Sequence, residues 1–469
     1  MVFSTLPFVY FFFPICLIFY FAMPNIRAKN TVLLIMSLIF YAWGEPLWVI
    51  LMIVTALVNY ACGRGIGAAG SAGQKKFWLV TSVAVSLGSL AFFKYTGFLI
   101  GNLNLIPGVD IPAWELSLPI GISFYTFQSL SYTIDVYRGN TAVQKSYADF
   151  LLYVSLFPQL IAGPIVRYVD VDAEINVRKT SLQDFTKGVT RFLTGLGKKL
   201  LLANYCGGLI EKYMEGGSVV GSWVGLIMFA FQIYFDFSGY SDMAIGLGRM
   251  FGFHFKENFN YPYCCDSITD FWRRWHISLS SFFRDYVYIP LGGNRCSKAK
   301  NIRNILIVWG LTGLWHGASW NFILWGLYFG VLLLLEKFVF RKLLEKLPGF
   351  FRHAGALFFV LIGWALFYFE DISAIGAFMG QLFGKTEVFC TPDVLKLLMN
   401  NCLLIAACIV VSTPFGRMLH TVNVRMRRKR GASMHFAALG TLAYDSVLLA
   451  VCTAVMVSST YNPFLYFRF

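Results

Sequence analysis

Long hydrophobic stretches, separated by short polar segments, recur along the whole chain. A run of about 17–25 mainly apolar residues is long enough for one helix to cross the hydrocarbon core of a bilayer. The pattern predicts full-length spans at residues 3–22, 46–62, 77–93, 147–163, 218–235, 319–335, 354–370, 395–411 and 436–457.

Other apolar segments are shorter or amphipathic, and glycine or proline interrupts many of them. Irregular backbone is tolerated at membrane depth only where protein or a water-filled cavity covers it. We therefore expect tilted or re-entrant helices beside the full spans, in an all-α fold of roughly 10–14 transmembrane or re-entrant helices. The segments concerned are 31–43, 97–106, 120–134, 195–210, 239–252 and 302–315.

Composition favours a polytopic integral membrane protein. The 469 residues are 57% hydrophobic and only 13% charged, whereas ordinary globular domains are about 45–50% apolar and about 25% charged. A soluble enzyme, a nucleic-acid-binding protein, a fibre and a disordered chain are therefore excluded.

The first apolar stretch is too long for a cleavable signal, so we expect it to be the first span. No repeat or soluble segment interrupts the pattern, which predicts one membrane domain over 1–469.

The positive charge of the chain predicts its orientation. The net charge is +15, and Lys and Arg collect in the cytoplasmic loops of membrane proteins, so no nucleic-acid partner is expected. Residues 273–303 carry seven basic residues and one acidic residue, and 337–352 and 417–430 are also basic. These three loops are expected in the cytoplasm and the N-terminus outside. The ten cysteines lack zinc-ligand spacing, and no metal site is expected.

One histidine lies in an unusual break between two apolar segments. His316 belongs to the sequence GLWHGASWN, which runs from Gly313 to Asn321. An imidazole inside a membrane cavity can act as a general base near neutral pH, and ionisable groups at membrane depth usually have a function. The alternative is a structural histidine that bonds a backbone carbonyl group.

A second histidine, His276, follows an aromatic and basic segment, DFWRRW. On one helix Trp272, Trp275 and Leu279 share a face, and Arg273 lies on a different one. This pattern is typical of a helix that lies at the membrane surface. It is equally compatible with the wall of a cytoplasmic pocket, in which arginines bind an anionic donor such as the phosphates of a coenzyme. The candidates for that role are Arg273, Arg274 and Arg284.

Two acidic residues, Asp236 and Asp242, close an apolar run. Carboxylates are costly at membrane depth unless they are paired or hydrated. They could line a substrate path, or neutralise one of the arginines Arg273, Arg274 and Arg284. We favour the structural pairing slightly.

Five segments, in this order, resemble the membrane-bound O-acyltransferase (MBOAT) family, and most closely its bacterial branch that O-acetylates alginate and related exopolysaccharides. The likeness is dense over about 115–335 and looser in the flanking helices 1–114 and 336–469. The segments are Pro119 to Arg138, Phe157 to Tyr168, Phe235 to Phe253, Asn258 to Arg295, which contains FWRRWHISLSSFFRDYVYIPLGGNR, and Leu311 to Phe322, which contains LWHGASWNF.

The resemblance implies a helical fold around a tunnel, in a bacterial inner or plasma membrane. His316 falls on the hallmark catalytic histidine and His276 on a second, frequently essential one. The implied donor is a cytoplasmic acyl-coenzyme A, most simply acetyl-CoA, with no bound cofactor. The implied partners are a polysaccharide acceptor, the lipid bilayer and a separate extracytoplasmic acetyltransferase.

The expected chemistry is acyl transfer from a thioester. His316 removes the proton from an incoming hydroxyl, and Trp315 and Asn321 are candidate donors to the oxyanion. Gln128, in the first segment, is a further candidate for substrate binding. Three alternatives stay open: D-alanyl transfer from a carrier protein to teichoic acid, peptidoglycan O-acetylation, and a proton-coupled transporter that uses Asp236, Asp242 and His316.

Overall fold

The computed structural model describes residues 2–112, 114, 116–416, 418, 434–459 and 465, and among these residues it contains helices and no strands. The all-α prediction is therefore confirmed. The basic stretch 417–430 lies outside the described residues, apart from Met418.

Twelve of the described helices precede residue 251. Short π-helical segments, Phe8–Phe12 and Lys198–Ala203, lie before α1 and α10. The helices are α1 Phe13–Ala22, α2 Ile26–Ala42, α3 Trp48–Ala68, α4 Ala72–Leu103, α5 Ile122–Arg138, α6 Tyr147–Ser155, α7 Phe157–Leu160, α8 Tyr168–Val177, α9 Leu182–Gly197, α10 Asn204–Gly207, α11 Ile210–Met214 and α12 Val219–Met250.

The remaining described helices begin after a loop and a single 3₁₀ turn, Pro262–Cys264. Further π-helical segments are Arg284–Tyr288, after α14, and Glu336–Phe340, after α16. The helices are α13 Ile268–Arg274, α14 Ile277–Phe283, α15 Lys298–His316, α16 Trp320–Leu335, α17 Arg341–Lys346, α18 Gly349–Tyr368, α19 Ile372–Leu382, α20 Pro392–Asn400, α21 Cys402–Val411 and α22 Met434–Ser458.

Six described helices are long and apolar enough to cross a membrane, and α20 and α21 form a further candidate span that bends by 60° at its break. The chain is therefore a multi-pass membrane protein. The six are α3, α4, α12, Trp320–Lys346, which continues from α16 through α17, α18 and Ala438–Ser458 in α22.

One expected span is wrong, a second is a shorter helix, and two pairs of expected segments are single helices. The expected span 3–22 is an apolar helix over Phe8–Ala22 only, shorter than a full span. In the predicted span 147–163, helix α6 ends at Ser155 and the short helix α7 begins at Phe157. Pro158, in the first turn of α7, has no N–H to donate to a continuous helix. The residues from Phe150 onwards are buried inside the protein, so the segment is apolar because it belongs to a core. Conversely, α4 joins the expected segments 77–93 and 97–106, and α12 joins 218–235 and 239–252.

The chain divides into two compact units. Unit 1 contains Met1–Phe192 and Tyr240–Lys256, and unit 2 contains Leu193–Gly239 and Glu257–Phe469. The single membrane domain expected from the sequence stays a prediction.

The interior of unit 1 is organised around a buried guanidinium. Arg178 Nε donates to the hydroxyl of Tyr20 at 3.1 Å and to the carbonyl of Phe251 at 3.0 Å. Its Nη1 donates to the side-chain oxygen of Asn30 at 2.6 Å. Because a buried charge is costly unless it is hydrogen-bonded, these contacts tie separate helices of this unit together.

The interior of unit 2 is dominated by aromatic rings. The ring centroid of Trp272 lies 4.7 Å from that of Trp309 and 4.8 Å from that of Phe329. Trp325 is fully buried, 5.4 Å from Phe329 and 6.4 Å from Trp364. These rings fill the space around the α15–α16 hairpin and make a rigid support for the residues at its turn.

Candidate active site

Unit 2 contains a cavity of about 810 Å³, within the range of about 300–1,000 Å³ that small-molecule sites usually occupy. Both predicted histidines, His276 and His316, line it, as do Arg273 and Arg284. The cavity therefore brings together four residues that are separated by up to 43 positions in the sequence.

His316 is the last residue of α15, and close helix packing sets its position. A Cβ atom on Gly313 would meet the carbonyl oxygen of Phe322, and one on Gly326 would meet that of Trp309. Since backbone atoms cannot move aside as a flexible side chain can, both positions need glycine for α15 and α16 to approach this closely.

Aromatic rings surround the imidazole of His316, which is 7% exposed. The ring centroid of Trp325 lies 4.9 Å away at an interplanar angle of 83°, and that of Phe367 lies 5.3 Å away at 84°. Such a setting strengthens the electrostatic interactions of the ring and holds it in one orientation.

His276 occupies a strained turn between α13 and α14. Its backbone is left-handed, with φ 44° and ψ 54°, a conformation that costs about 1–3 kcal/mol for a residue other than glycine. The helical spacing placed the residues around His276 on one amphipathic helix, either at the membrane surface or in a pocket wall; the helix instead ends at Arg274 and a new one begins at Ile277. Trp272, Arg273, Trp275 and Leu279 consequently all line the cavity, as the wall of a pocket would.

The preceding segment holds this turn in place. The N–H of Ile277 donates to the carbonyl of Asn258 at 2.9 Å, and the N–H of Asn260 donates to the carbonyl of Arg274 at the same distance. At the other end of α13, the carboxylate of Glu336 accepts the N–H of Ile268 at 2.7 Å. These hydrogen bonds hold the segments before and after His276 and so keep its backbone in the strained conformation.

The imidazole of His276 contacts the side chain of Asn258. Its Nδ1 lies 3.1 Å from Oδ1 of Asn258, which also accepts the backbone N–H of Ser278 at 3.2 Å and the Ser278 hydroxyl at 2.8 Å. The Ser278 hydroxyl oxygen also lies 3.4 Å from Nδ1 of His276. Asn258 and Ser278 are thus the polar neighbours of this ring nitrogen. Burial lowers the pKa of His276 to about 3, which keeps the ring neutral at physiological pH.

Trp315 and Asn321 are close to the histidines in sequence, but neither is among the residues that line the cavity. The ring of Trp315 lies 5.7 Å from that of His276 and 4.8 Å from that of His316. Asn321 is fully buried, and its amide donates to the carbonyl of Leu366 at 3.4 Å. Trp315 therefore bridges the two imidazoles, whereas Asn321 supports the backbone of the neighbouring helix.

The three predicted arginines differ in their surroundings. Arg273 is exposed in the cavity wall and makes no ion pair with the described residues. Arg284 also lines the cavity and pairs with Asp285 at 2.6 Å. Arg274 is not a lining residue; it bonds Asp270 at 2.8 Å, and this bond raises the pKa of the Arg274 guanidinium.

Further basic residues at the rim of the cavity were not singled out from the sequence. Lys337, Arg341 and Arg352 come from the basic stretch 337–352, whose charge indicated orientation but not a site. Lys337 Nζ donates to the amide oxygens of Asn294 and Asn301, each at 2.7 Å. Five basic and three acidic residues line the cavity in all, so its field attracts an anionic ligand.

The two acidic residues of the apolar run are ion-paired, but not with the arginines Arg273, Arg274 or Arg284 that the sequence offered as partners. Asp236 lies 2.6 Å from the buried Nζ of Lys199 and accepts the N–H of Leu465 at 2.8 Å. Oδ1 of Asp242 lies 2.6 Å from Nη2 of Arg191. Both carboxylates are thus neutralised within their own units, and neither lines the cavity.

Gln128 is fully buried on α5, in unit 1, and its role in substrate binding stays a prediction. Within the described residues, no group of three or more His, Cys, Asp or Glu side chains is arranged to hold a metal ion.

The sequence model of the MBOAT (membrane-bound O-acyltransferase) family matches residues 35–377, which include both cavity histidines and most of the rim. The chain belongs to this family. As an MBOAT protein it is a membrane-embedded O-acyltransferase, and the cavity with His276 and His316 is its candidate active site.

Relatives of this chain differ in the acceptors that their names give. The chain is 38% identical to the probable alginate O-acetylase AlgI of Azotobacter vinelandii, in a match that covers 100% of both chains. It is 33% identical to the peptidoglycan O-acetyltransferase of Helicobacter pylori, over 81% of this chain and 80% of that one. It is 29% identical to the teichoic acid D-alanyltransferase of Bacillus subtilis, over 50% and 62%.

Proposed function

We propose that this acyltransferase transfers an acetyl group from a cytoplasmic thioester for the O-acetylation of an extracytoplasmic polysaccharide, in a bacterial inner membrane. The observation that carries the proposal is a single cavity with two histidines and a basic lining. The full-length similarity to an alginate O-acetylase supports an alginate-like acceptor and acetyl as the acyl group.

The basic lining fits a donor that carries phosphate groups, as acetyl-CoA does. Arg273 makes no ion pair with the described residues, so its guanidinium is available to a phosphate. Two amide oxygens hold the ammonium group of Lys337, which fixes a positive charge at the rim before the donor arrives. By the positive-inside rule this basic region faces the cytoplasm, where acyl-CoA is made available.

His316 serves as the general base. Its imidazole takes the proton from the acceptor hydroxyl, whose oxygen attacks the carbonyl carbon of the thioester. The C–S bond then breaks, and the imidazolium of His316 gives its proton to the sulfur, which leaves as a thiol. His276 presents Nε2, a hydrogen-bond acceptor that can orient the hydroxyl towards the thioester. Trp315, which contacts both rings, is the candidate for the oxyanion donor.

Delivery to the polysaccharide requires a second protein in this proposal. A separate extracytoplasmic acetyltransferase takes the acetyl group after it has crossed the bilayer and esterifies the polymer. The immediate acceptor in the cavity is then a hydroxyl of that partner or of a carrier.

Mass spectrometry of ester groups on the surface polymers of producing cells tests the proposal. Acetyl esters should be present with the wild-type protein and absent with His316→Ala at equal protein level. His254→Ala, which removes an exposed imidazole that pairs with Glu174 in unit 1, is the matched control and should retain them.

The same measurement separates the alternatives. Loss of acetyl groups from peptidoglycan in His316→Ala cells would identify that polymer as the acceptor. Loss of alanine esters would identify D-alanyl transfer. Unchanged esters in the variant would refute His316 as the base.

A further inference from the structure

Asn258 makes three side-chain contacts at a single oxygen atom, and one of them is with His276. We propose that Asn258 is a positioning residue that holds His276 in its Nδ1–H tautomer, so that Nε2 accepts the hydrogen bond of the acceptor hydroxyl. This inference rests on the proposed function for the role of Nε2, but not for the tautomer itself.

The orientation of the Asn258 side chain is determined by its neighbour. A backbone N–H can only donate, so the bond from Ser278 N at 3.2 Å requires the amide oxygen, and not the NH₂ group, at this place. The Ser278 hydroxyl donates to the same oxygen at 2.8 Å. Since the single hydroxyl proton of Ser278 is directed at Asn258, the Ser278 oxygen, 3.4 Å from Nδ1 of His276, can only accept a bond from this nitrogen. With acceptors in both positions, we infer that Nδ1 carries the proton.

The main chain reinforces the same contact. The carbonyl of Asn258 accepts the N–H of Ile277, the residue directly after His276. Asn258 therefore holds the backbone and the ring of the strained turn at once. Asn258 is fully buried and His276 is 2% exposed, so water does not compete for these bonds.

Aromatic neighbours restrict the ring in the remaining directions. The ring of Phe237 meets that of His276 edge-on, with centroids 4.7 Å apart and an interplanar angle of 88°, and Trp315 lies at 5.7 Å. These contacts restrain the plane of the imidazole, but apolar edges do not choose between its two tautomers. The contact with Asn258 determines which tautomer forms.

A neutral amide at position 258 has a specific chemical consequence. An amide oxygen orients the imidazole without adding a charge, whereas a carboxylate at the same place would stabilise the imidazolium ion. Once protonated, the ring would donate at Nε2 and could no longer accept a bond there. The native residue thus keeps Nε2 an acceptor throughout the physiological pH range.

The pH dependence of kcat in Asn258→Asp tests this consequence. The variant should lose activity on the acidic side at a higher pH than the wild type, because the new carboxylate raises the pKa of His276. Asn260→Asp adds the same charge two residues away, at an exposed position, and its pH profile should match the wild type. An unchanged acidic limb in a folded Asn258→Asp protein would contradict the proposal.

Asn258→Ala removes the acceptor without adding charge. It should lower kcat by about 10²-fold, the size of effect that a small misplacement of a reacting group can have, and change KM for the donor by no more than about twofold. Combined with His276→Gln it should cause no further loss, since both changes remove the same function. Additive losses would show that Asn258 does not act through His276.

A spectroscopic test is independent of activity. In protein labelled with ¹⁵N-histidine, the His276 signal is the one that His276→Gln removes, and its nitrogen shifts should report a neutral ring protonated on Nδ1. In Asn258→Ala the shifts should report a mixture of tautomers. If this result holds while the wild-type protein transfers no acyl group, the proposed function fails and the positioning role of Asn258 stands. A ring protonated on Nε2 in the wild-type protein would overturn the inference.

Discussion

The cavity has two ends with contrasting construction. At the deep end, His276 and His316 are almost completely buried among aromatic rings, and their backbones are set by a strained turn and a tight helix hairpin. At the rim, the lining side chains are long, basic and exposed, as Arg273 and Arg341 are. Rigid placement in a dry setting suits bond making, whereas adaptable charge suits the capture of an anionic donor. The contrast predicts losses of kcat at one end and losses of donor affinity at the other.

The largest effect is expected at His316. Replacement by Ala should lower kcat for thioester turnover by about 10²–10⁴-fold, the usual contribution of a positioned general base. Purified protein in lipid nanodiscs, supplied with acetyl-CoA, provides the measurement, and His254→Ala provides the control. Turnover within about twofold of the wild type would remove His316 from the chemistry.

The hairpin that supports His316 should be sensitive to a single methyl group. Gly326→Ala places Cβ against the backbone oxygen of Trp309, and we expect a destabilisation of about 1–3 kcal/mol, the cost of overpacking. Gly310→Ala, on α15 where a Cβ meets nothing within 4 Å, should be neutral or stabilising because Ala favours helix. Thermal unfolding in detergent compares them; equal melting temperatures would contradict the close-packing argument.

The buried imidazole of His276 should make stability depend on pH. Its folded pKa, about 3, lies below the ordinary 6.5, so below pH 6.5 the unfolded chain binds a proton that the folded chain does not. The free energy of unfolding is therefore unaffected by this group above pH 6.5. Between pH 6.5 and pH 3 it falls by at most about 1.4 kcal/mol per pH unit. Melting temperatures between pH 7 and 5 should fall less in His276→Gln than in the wild type. An identical pH dependence in both proteins would be inconsistent with a depressed pKa.

At the rim the expected effect is the smallest. Lys337→Ala should raise KM for acetyl-CoA by about tenfold and leave kcat nearly unchanged, because it removes one charge from donor binding alone. Added salt should reduce the difference between variant and wild type. Lys342→Ala, on the same helix but outside the cavity lining, is the matched control. A fall in kcat without a change in KM would show that Lys337 contributes to the chemical step and not to donor binding.

The helices were predictable from the sequence where they face lipid and less so where they face protein. The expected spans 46–62 and 354–370 correspond to α3 and α18, because lipid demands continuous apolar surface over a fixed length. The expected span 147–163 is equally apolar, yet it is a broken, buried segment. Hydrophobicity alone does not distinguish contact with lipid from contact with a protein core.

The site could be predicted in part. His276, His316, Arg273 and Arg284 were all identified by residue type and setting, and they meet in one cavity. Asn258 was overlooked as an individual residue, although it lies in one of the five recognised segments, since an asparagine in a loop carries no signal of its own. A contact between residues 18 positions apart became apparent only when the chain was folded.

The sequence by itself determined the class of the protein, its helical membrane fold and its family, because apolar runs of membrane length and five ordered motifs are local properties of the chain. The tertiary structure decided which polar groups act together. It paired Asp236 with Lys199, brought Lys337 to the rim and placed the side chain of Asn258 against His276. Such contacts depend on distances between segments far apart in sequence, and those distances are set by how side chains pack, which no local pattern records.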